Sequence, residues 1–118
     1  MTVLLRLISL ILIAAALLFL GADAVTSLER EIDAMNEKLE PLTSFVLPGG
    51  TALAARLHLA RAIARRAEAA MVALAAKEKI NEAALRYANR LSDHLFVMAR
   101  TANNSGMGDV LWVPGGNR

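Results

Sequence analysis

Cysteine is absent from the 118 residues, which excludes disulfides, thiolate nucleophiles and zinc–thiolate sites and leaves the redox compartment undetermined. Aromatic residues are scarce, 4% of the chain against 56% hydrophobic residues, so the apolar content is aliphatic and rich in Ala and Leu. That composition favours helices packed closely through small side chains, an all-α fold. A dominant charge is missing as well: 13 Lys and Arg face 11 Asp and Glu, a net +2. With the arginines set inside amphipathic patterns instead of a basic tail, this balance argues against nucleic acid as a partner. The length predicts one domain with a modest core.

What is present begins with an uncharged run from Leu7 to Ala22, preceded by Arg6 and closed by the small-x-small sequence Ala22-Asp23-Ala24. The flanks resemble a secretory signal, but the run is shorter than the ~20 apolar residues of a membrane span. Three readings stay open: a buried or trimer-facing bundle helix, a signal or membrane anchor, and an unrelated stretch created by truncation or frameshift upstream. The chain accordingly divides into an apolar segment over residues 1–22 and a helical domain over residues 23–118.

In that domain, Thr26-x-x-Glu29 is a capping-box pattern, Leu28, Ile32, Met35 and Leu39 keep helical spacing, and Pro41 stops the segment. Leu47-Pro48-Gly49-Gly50 reads as a loop, and Thr51 as the cap of a long helix. Its predicted apolar seam is Leu53, Leu57, Ala60, Ala64, Ala67, Met71 and Leu74, ending at the charged turn Lys77-Glu78-Lys79. Asn81 is placed to cap a last helix with the seam Ala84, Ala88, Leu91, Leu95, Met98 and Ala102, ended by Asn103, Asn104 and Gly106. The tail from Asp109 to Arg118 is predicted to be extended or irregular.

Polar residues run beside these seams at the same spacing. His58, Arg61, Arg65 and Glu68 form one stripe, about 100° round the helix from its seam, and Arg86, Asn89, Asp93, Phe96 and Arg100 form another. The plain reading of Arg65 and Glu68 is an exposed pair worth under ~1 kcal/mol. His58 and His94 lack cysteine or carboxylate partners at metal-ligand spacing, so both are predicted to be structural or solvent-facing and no protein-held metal is expected. Asp93 is placed to hold Arg90 or Arg86. Phe45, before the Pro-Gly-Gly turn, reads in isolation as a core anchor.

Three separated segments change these readings: SFVLPGG from Ser44, HLARAIARRAE from His58, and NRLSDHLFVMAR from Asn89, with GAD, EIDAMN and a closing DVLWVPGG around them. In order and spacing the chain resembles the ATP:cob(I)alamin adenosyltransferases, the corrinoid adenosyltransferase family, from about Leu17 to the C-terminus. The resemblance implies a trimer of five-helix bundles, with no recognisable counterpart of the family's phosphate-binding loop and first helix upstream of Leu17. Ala69 and Ala70 also follow RRAE where relatives often carry a further basic residue.

By that resemblance, Arg61 and Arg65 serve catalysis at an ATP site between neighbouring subunits. Glu68 and Asn89 also belong to the ATP site, and Phe45 packs on the lower face of the corrin ring, displacing the axial ligand so that cobalt becomes four-coordinate. The implied reaction moves the 5′-deoxyadenosyl group of ATP to cobalt(I), giving adenosylcobalamin and triphosphate, with magnesium neutralising the departing charge and a reductase supplying the electron. ATP, magnesium and cobalamin are the expected cofactors and substrates, a homotrimer the expected assembly, and the cytoplasm the expected location. The alternative is a catalytically impaired relative that binds corrinoid or supports assembly, with membrane contact through residues 7–22; a weaker one is a membrane-anchored helical protein.

Overall fold

The computed structural model describes residues 2–19 and 21–116, and the side chains of all of these but positions 9 and 12–19. Four helices follow one another: α1 (Thr2–Phe19), α2 (Ala22–Asn36), α3 (Ala52–Ala75) and α4 (Glu82–Ala102). Strands β1 (Val46–Leu47) and β2 (Val110–Leu111) form a small antiparallel ribbon, Val46 opposite Leu111 and Leu47 opposite Val110. The predicted all-α bundle is therefore observed, with one addition.

α4 is the central element, packed against α3 on one side and α2 on the other. Small side chains make this possible: Ala54, Ala84 and Ala99 are buried, and Ser92, fully buried, satisfies its hydroxyl by donating to the Asn89 carbonyl at 2.8 Å. α2 contributes Val25 and Leu28 to the core, worth about 1.5–3 kcal/mol each. Charged contacts tie its outer face to α4. Glu29 pairs with Arg90 at 3.0 Å and Glu31 meets His94 at 2.8 Å.

Both predicted caps of the long helices are in place. Thr51 accepts from the Ala54 amide at 3.1 Å, and Asn81 accepts from the Ala83 amide at 3.0 Å. The Thr26 capping box is not: α2 already starts at Ala22, with Gly21 as its cap, and the Thr26 hydroxyl donates back to the Ala22 carbonyl at 3.1 Å inside the helix. The α3 seam is also displaced. Leu53 and Leu74 at its ends are exposed, and the buried side chains are Ala54 and His58, because α4 lies over the flank that carries the polar stripe.

α4 ends on a node of polar residues that closes the two loops. Fully buried Asn103 accepts from the Thr51 amide at 2.9 Å and donates to the Gly49 carbonyl at 2.9 Å. Arg100 donates to Asp109 at 2.7 Å and to the Glu40 carbonyl at 3.0 Å, both ends of the ion pair being buried. Gly50 is required here, since its φ of +97° is left-handed and a Cβ would collide with the Asn103 amide. The node fixes the start of the tail, predicted to be extended or irregular, as the short strand β2, hydrogen-bonded to the chain before Pro48.

The uncharged N-terminal segment is helical as α1, and Val3, Leu4, Leu5, Leu7, Ile8, Leu10 and Ile11 are exposed. The reading of residues 7–22 as a buried or trimer-facing bundle helix falls mostly on side chains outside the described ones.

Candidate functional site

The polar stripe of α3 divides in the folded chain. His58 is buried, Arg61 and Glu68 are half-buried against α4, and Arg65 turns outward with its side chain 54% exposed. Asn89 on α4 donates to Glu68 Oε1 at 3.1 Å, so the two helices present one joined surface of amide and carboxylate. Arg65 approaches the other oxygen, Glu68 Oε2, at 3.8 Å, an ion pair too long for a hydrogen bond. A cleft of about 280 Å³ opens beside it, lined by Glu68, Asn89 and Arg90 together with Glu29.

Arg61 lies over the ring of Phe96, 5.0 Å from its centroid, a cation–π contact that fixes the guanidinium without using its hydrogen-bond donors. His58 meets the same ring edge to face at 6.2 Å. Burial lowers the His58 pKa, with the Arg61 charge adding to the effect and Asp109 opposing it, so the imidazole is neutral at pH 7. Among the described residues, the buried side-chain nitrogens and oxygens left without a hydrogen-bond partner are His58 Nε2, Arg61 Nε and Glu68 Oε2. All three sit on α3.

Elsewhere, Asp93 holds Arg90 at 3.2 Å, the first of its two predicted choices, and Arg90 also donates to Asn89 Oδ1 at 3.3 Å. With Glu29 as its strongest partner, Arg90 has its pKa raised above the usual value. Phe45 is 76% exposed and far from the core anchor that its isolated context suggested; it touches Trp112 edge to face at 6.1 Å. The chain does not gather every predicted residue into one cleft. About 20 Å of helix axis, at ~1.5 Å per residue, separates Thr51, beside the ribbon, from Arg65.

The cobalamin adenosyltransferase family model matches residues 13–102. The chain belongs to the cobalamin adenosyltransferase family. A corrinoid adenosyltransferase of Bacillus subtilis is 50% identical over 92 residues, which are 77% of this chain and 48% of that protein. A cobalamin adenosyltransferase of Cupriavidus metallidurans is 49% identical over 94 residues, 79% of this chain and 51% of that one. Among solved structures, a variant PduO-type ATP:corrinoid adenosyltransferase of Lactobacillus reuteri complexed with cobalamin and ATP superposes with a TM-score of 0.69 at 43% identity, covering 75% of this chain and 49% of that one. Another variant of that enzyme, complexed with ATP, gives 0.71 at 41% identity, with coverages of 77% and 53%. The chain thus spans about half the length of the curated relatives it matches.

Phe96, under Arg61, and Trp112, against Phe45, are neighbours of the candidate residues to which the sequence alone gave no site role. The signal for Trp112 was its place as the chain's single tryptophan inside the closing DVLWVPGG. For Phe96 it was the four-residue step within the polar stripe of α4.

Proposed function

We propose that this chain is a corrinoid adenosyltransferase, transferring the 5′-deoxyadenosyl group of ATP to cobalt(I) of a corrinoid. The electron pair of cobalt(I) forms the cobalt–carbon bond at C5′, the carbon–oxygen bond to the triphosphate breaks, and triphosphate leaves with that pair. The observation that carries the reading is the α3–α4 surface of Arg61, Arg65, Glu68 and Asn89, on which a buried donor and a buried acceptor remain open. Such groups cost about 1–3 kcal/mol each when left unpaired, and a bound nucleotide supplies their partners.

The role of each residue follows from its position. Outward-facing Arg65 offers a planar fork to phosphate oxygens, while Arg61, held on Phe96, directs a fixed charge at the leaving group. Asn89, bonded to Glu68, is oriented as a nucleotide contact. Among the described residues no group of three or more His, Asp or Glu could hold a metal. Magnesium would come on the triphosphate, with Glu68 Oε2, which has Arg65 at 3.8 Å but no hydrogen-bond partner, as a candidate protein oxygen beside it, and its contribution would be charge neutralisation. Phe45 takes the lower face of the corrin.

The same reading includes a homotrimer. About 20 Å of α3 axis lies between Arg65 and Thr51, beside the ribbon next to Phe45, too far for one chain to bring cobalt to C5′, and Leu59 and Ile63 expose an apolar strip on the outside of that helix. A neighbouring copy joining its ribbon to this strip would complete the site. A reductase supplies the electron, and the reaction belongs in the cytoplasm.

The deciding experiment is anaerobic: the intact chain with cob(I)alamin, ATP and magnesium, followed by cobalt(I) absorbance and triphosphate release. Turnover that falls about 100-fold in Arg65→Ala supports the proposal. A folded, trimeric chain without turnover refutes it and leaves a corrinoid-binding or assembly module.

A further inference from the structure

We infer that Trp112 is a positioning residue that holds the plane of the Phe45 ring against the corrin. The inference rests on the assignment of Phe45 to the lower face of that ring. A Phe side chain that is 76% exposed has little packing to select one rotamer, yet displacing an axial ligand demands a ring fixed in place. The ring contact described for Phe45 is the indole of Trp112, at a centroid distance of 6.1 Å and an interplanar angle of 67°. That edge-to-face geometry is one of the two favoured by aromatic quadrupoles.

The backbone holds the pair together from both sides. The Trp112 amide donates to the Phe45 carbonyl at 2.8 Å, and the Ser44 hydroxyl donates to the Trp112 carbonyl at 2.6 Å. Immediately before Trp112 the ribbon is anchored, because Asp109 is locked to Arg100 and Val110 and Leu111 pair with β1. Trp112 therefore reaches Phe45 from a segment that is tied to the end of α4, while Phe45 leads through Gly49 into Asn103. The two aromatic residues approach each other from opposite strands of one ribbon. Since every hydrogen bond described for Trp112 uses its backbone, removing the indole leaves the ribbon's bonding intact.

Electron paramagnetic resonance of cob(II)alamin bound to the intact chain with ATP and magnesium tests this directly. Cobalt(II) with no axial ligand gives a spectrum distinct from those of both the nitrogen-ligated and the water-ligated five-coordinate forms, so its share of the bound corrinoid can be read. We expect Trp112→Ala to lower the ratio of four- to five-coordinate cobalt about tenfold, as loss of an aromatic pair worth about 1.4 kcal/mol would do. Trp112→Phe should recover most of the ratio, and the KM for ATP should stay within about twofold of the parent. An unchanged ratio in Trp112→Ala, with Phe45→Ala strongly reduced, overturns the role of Trp112 and leaves Phe45 in place. If Phe45→Ala matches the parent, or the parent forms no four-coordinate cobalt, the assignment of Phe45 fails and this inference fails with it.

Discussion

Two sets of buried polar groups in this chain are treated in opposite ways. At the end of α4, Asn103, Arg100 and Asp109 are all bonded within the protein, to Thr51, Gly49, Glu40 and one another. Along α3, His58, Arg61 and Glu68 each keep a buried atom with no hydrogen-bond partner. Closed networks rigidify a fold, whereas open ones cost stability and are retained where a ligand completes them. The first set therefore reads as framework and Arg61 and Glu68 of the second as site, with His58 at the boundary.

The sharpest way to break this contrast is to cut the framework. Asp109→Ala leaves the Arg100 guanidinium buried without its counter-charge, and an expected loss of about 3–5 kcal/mol follows from such uncompensated burial. Urea unfolding of the variant measures it; a loss below about 1 kcal/mol would mean that the node is not structural. Gly50→Ala acts on the same node from the loop. It forces a side chain onto a left-handed φ and into the Asn103 amide, and an expected cost of about 2–3 kcal/mol combines the backbone strain with damage to the Asn103 bonds. The midpoint in urea should fall without a change in slope.

The α3 set should respond in the other direction. Arg61→Met removes the unpaired Nε but keeps a flexible apolar side chain against Phe96, so stability should stay within about 1 kcal/mol of the parent or rise slightly. Transfer of the adenosyl group should nonetheless drop about 100-fold in the anaerobic assay. Framework and site would then be separated by two measurements on one variant: unaltered unfolding and lost turnover. A variant that loses both would place Arg61 in the framework instead.

Much of this was legible in the chain itself. Thr51 and Asn81 announced the starts of α3 and α4 because a polar side chain before an apolar period has one local use. The start of α2 was misread because Thr26-x-x-Glu29 satisfies the same rule inside a helix, where the hydroxyl bonds backward to Ala22. The burial of α3 was shifted round the helix because periodicity finds an apolar face but not the neighbour that covers it; α4 covers the flank of His58 and Glu68, and Leu53 and Leu74 are left outside. The β1–β2 ribbon gave no local signal. Two-residue strands are too short for alternation to show, and their pairing depends on contacts such as Asn103 to Gly49 that span half the chain.

The smallest predicted effect tests the most ambiguous residue of the α3 set. Burial and the neighbouring Arg61 charge hold the His58 pKa below its ordinary value of about 6.5. In unfolded chains the imidazole takes up a proton as the pH drops through about 6.5, while in the folded protein it stays neutral to lower pH. The unfolded state then binds more protons, so stability falls as the pH decreases, with a slope of at most about 1.4 kcal/mol per pH unit from this one group. His58→Leu should flatten the dependence of unfolding free energy between pH 6.5 and the folded pKa, with His94 present in both proteins so that their difference isolates His58. Adenosyl transfer at pH 7 should change less than in Arg61→Met, because a neutral imidazole on the edge of Phe96 packs beside the charged groups without adding to them. A loss of transfer equal to that of Arg61→Met would instead assign the open Nε2 to the bound nucleotide, and move His58 from the boundary of the two sets into the site.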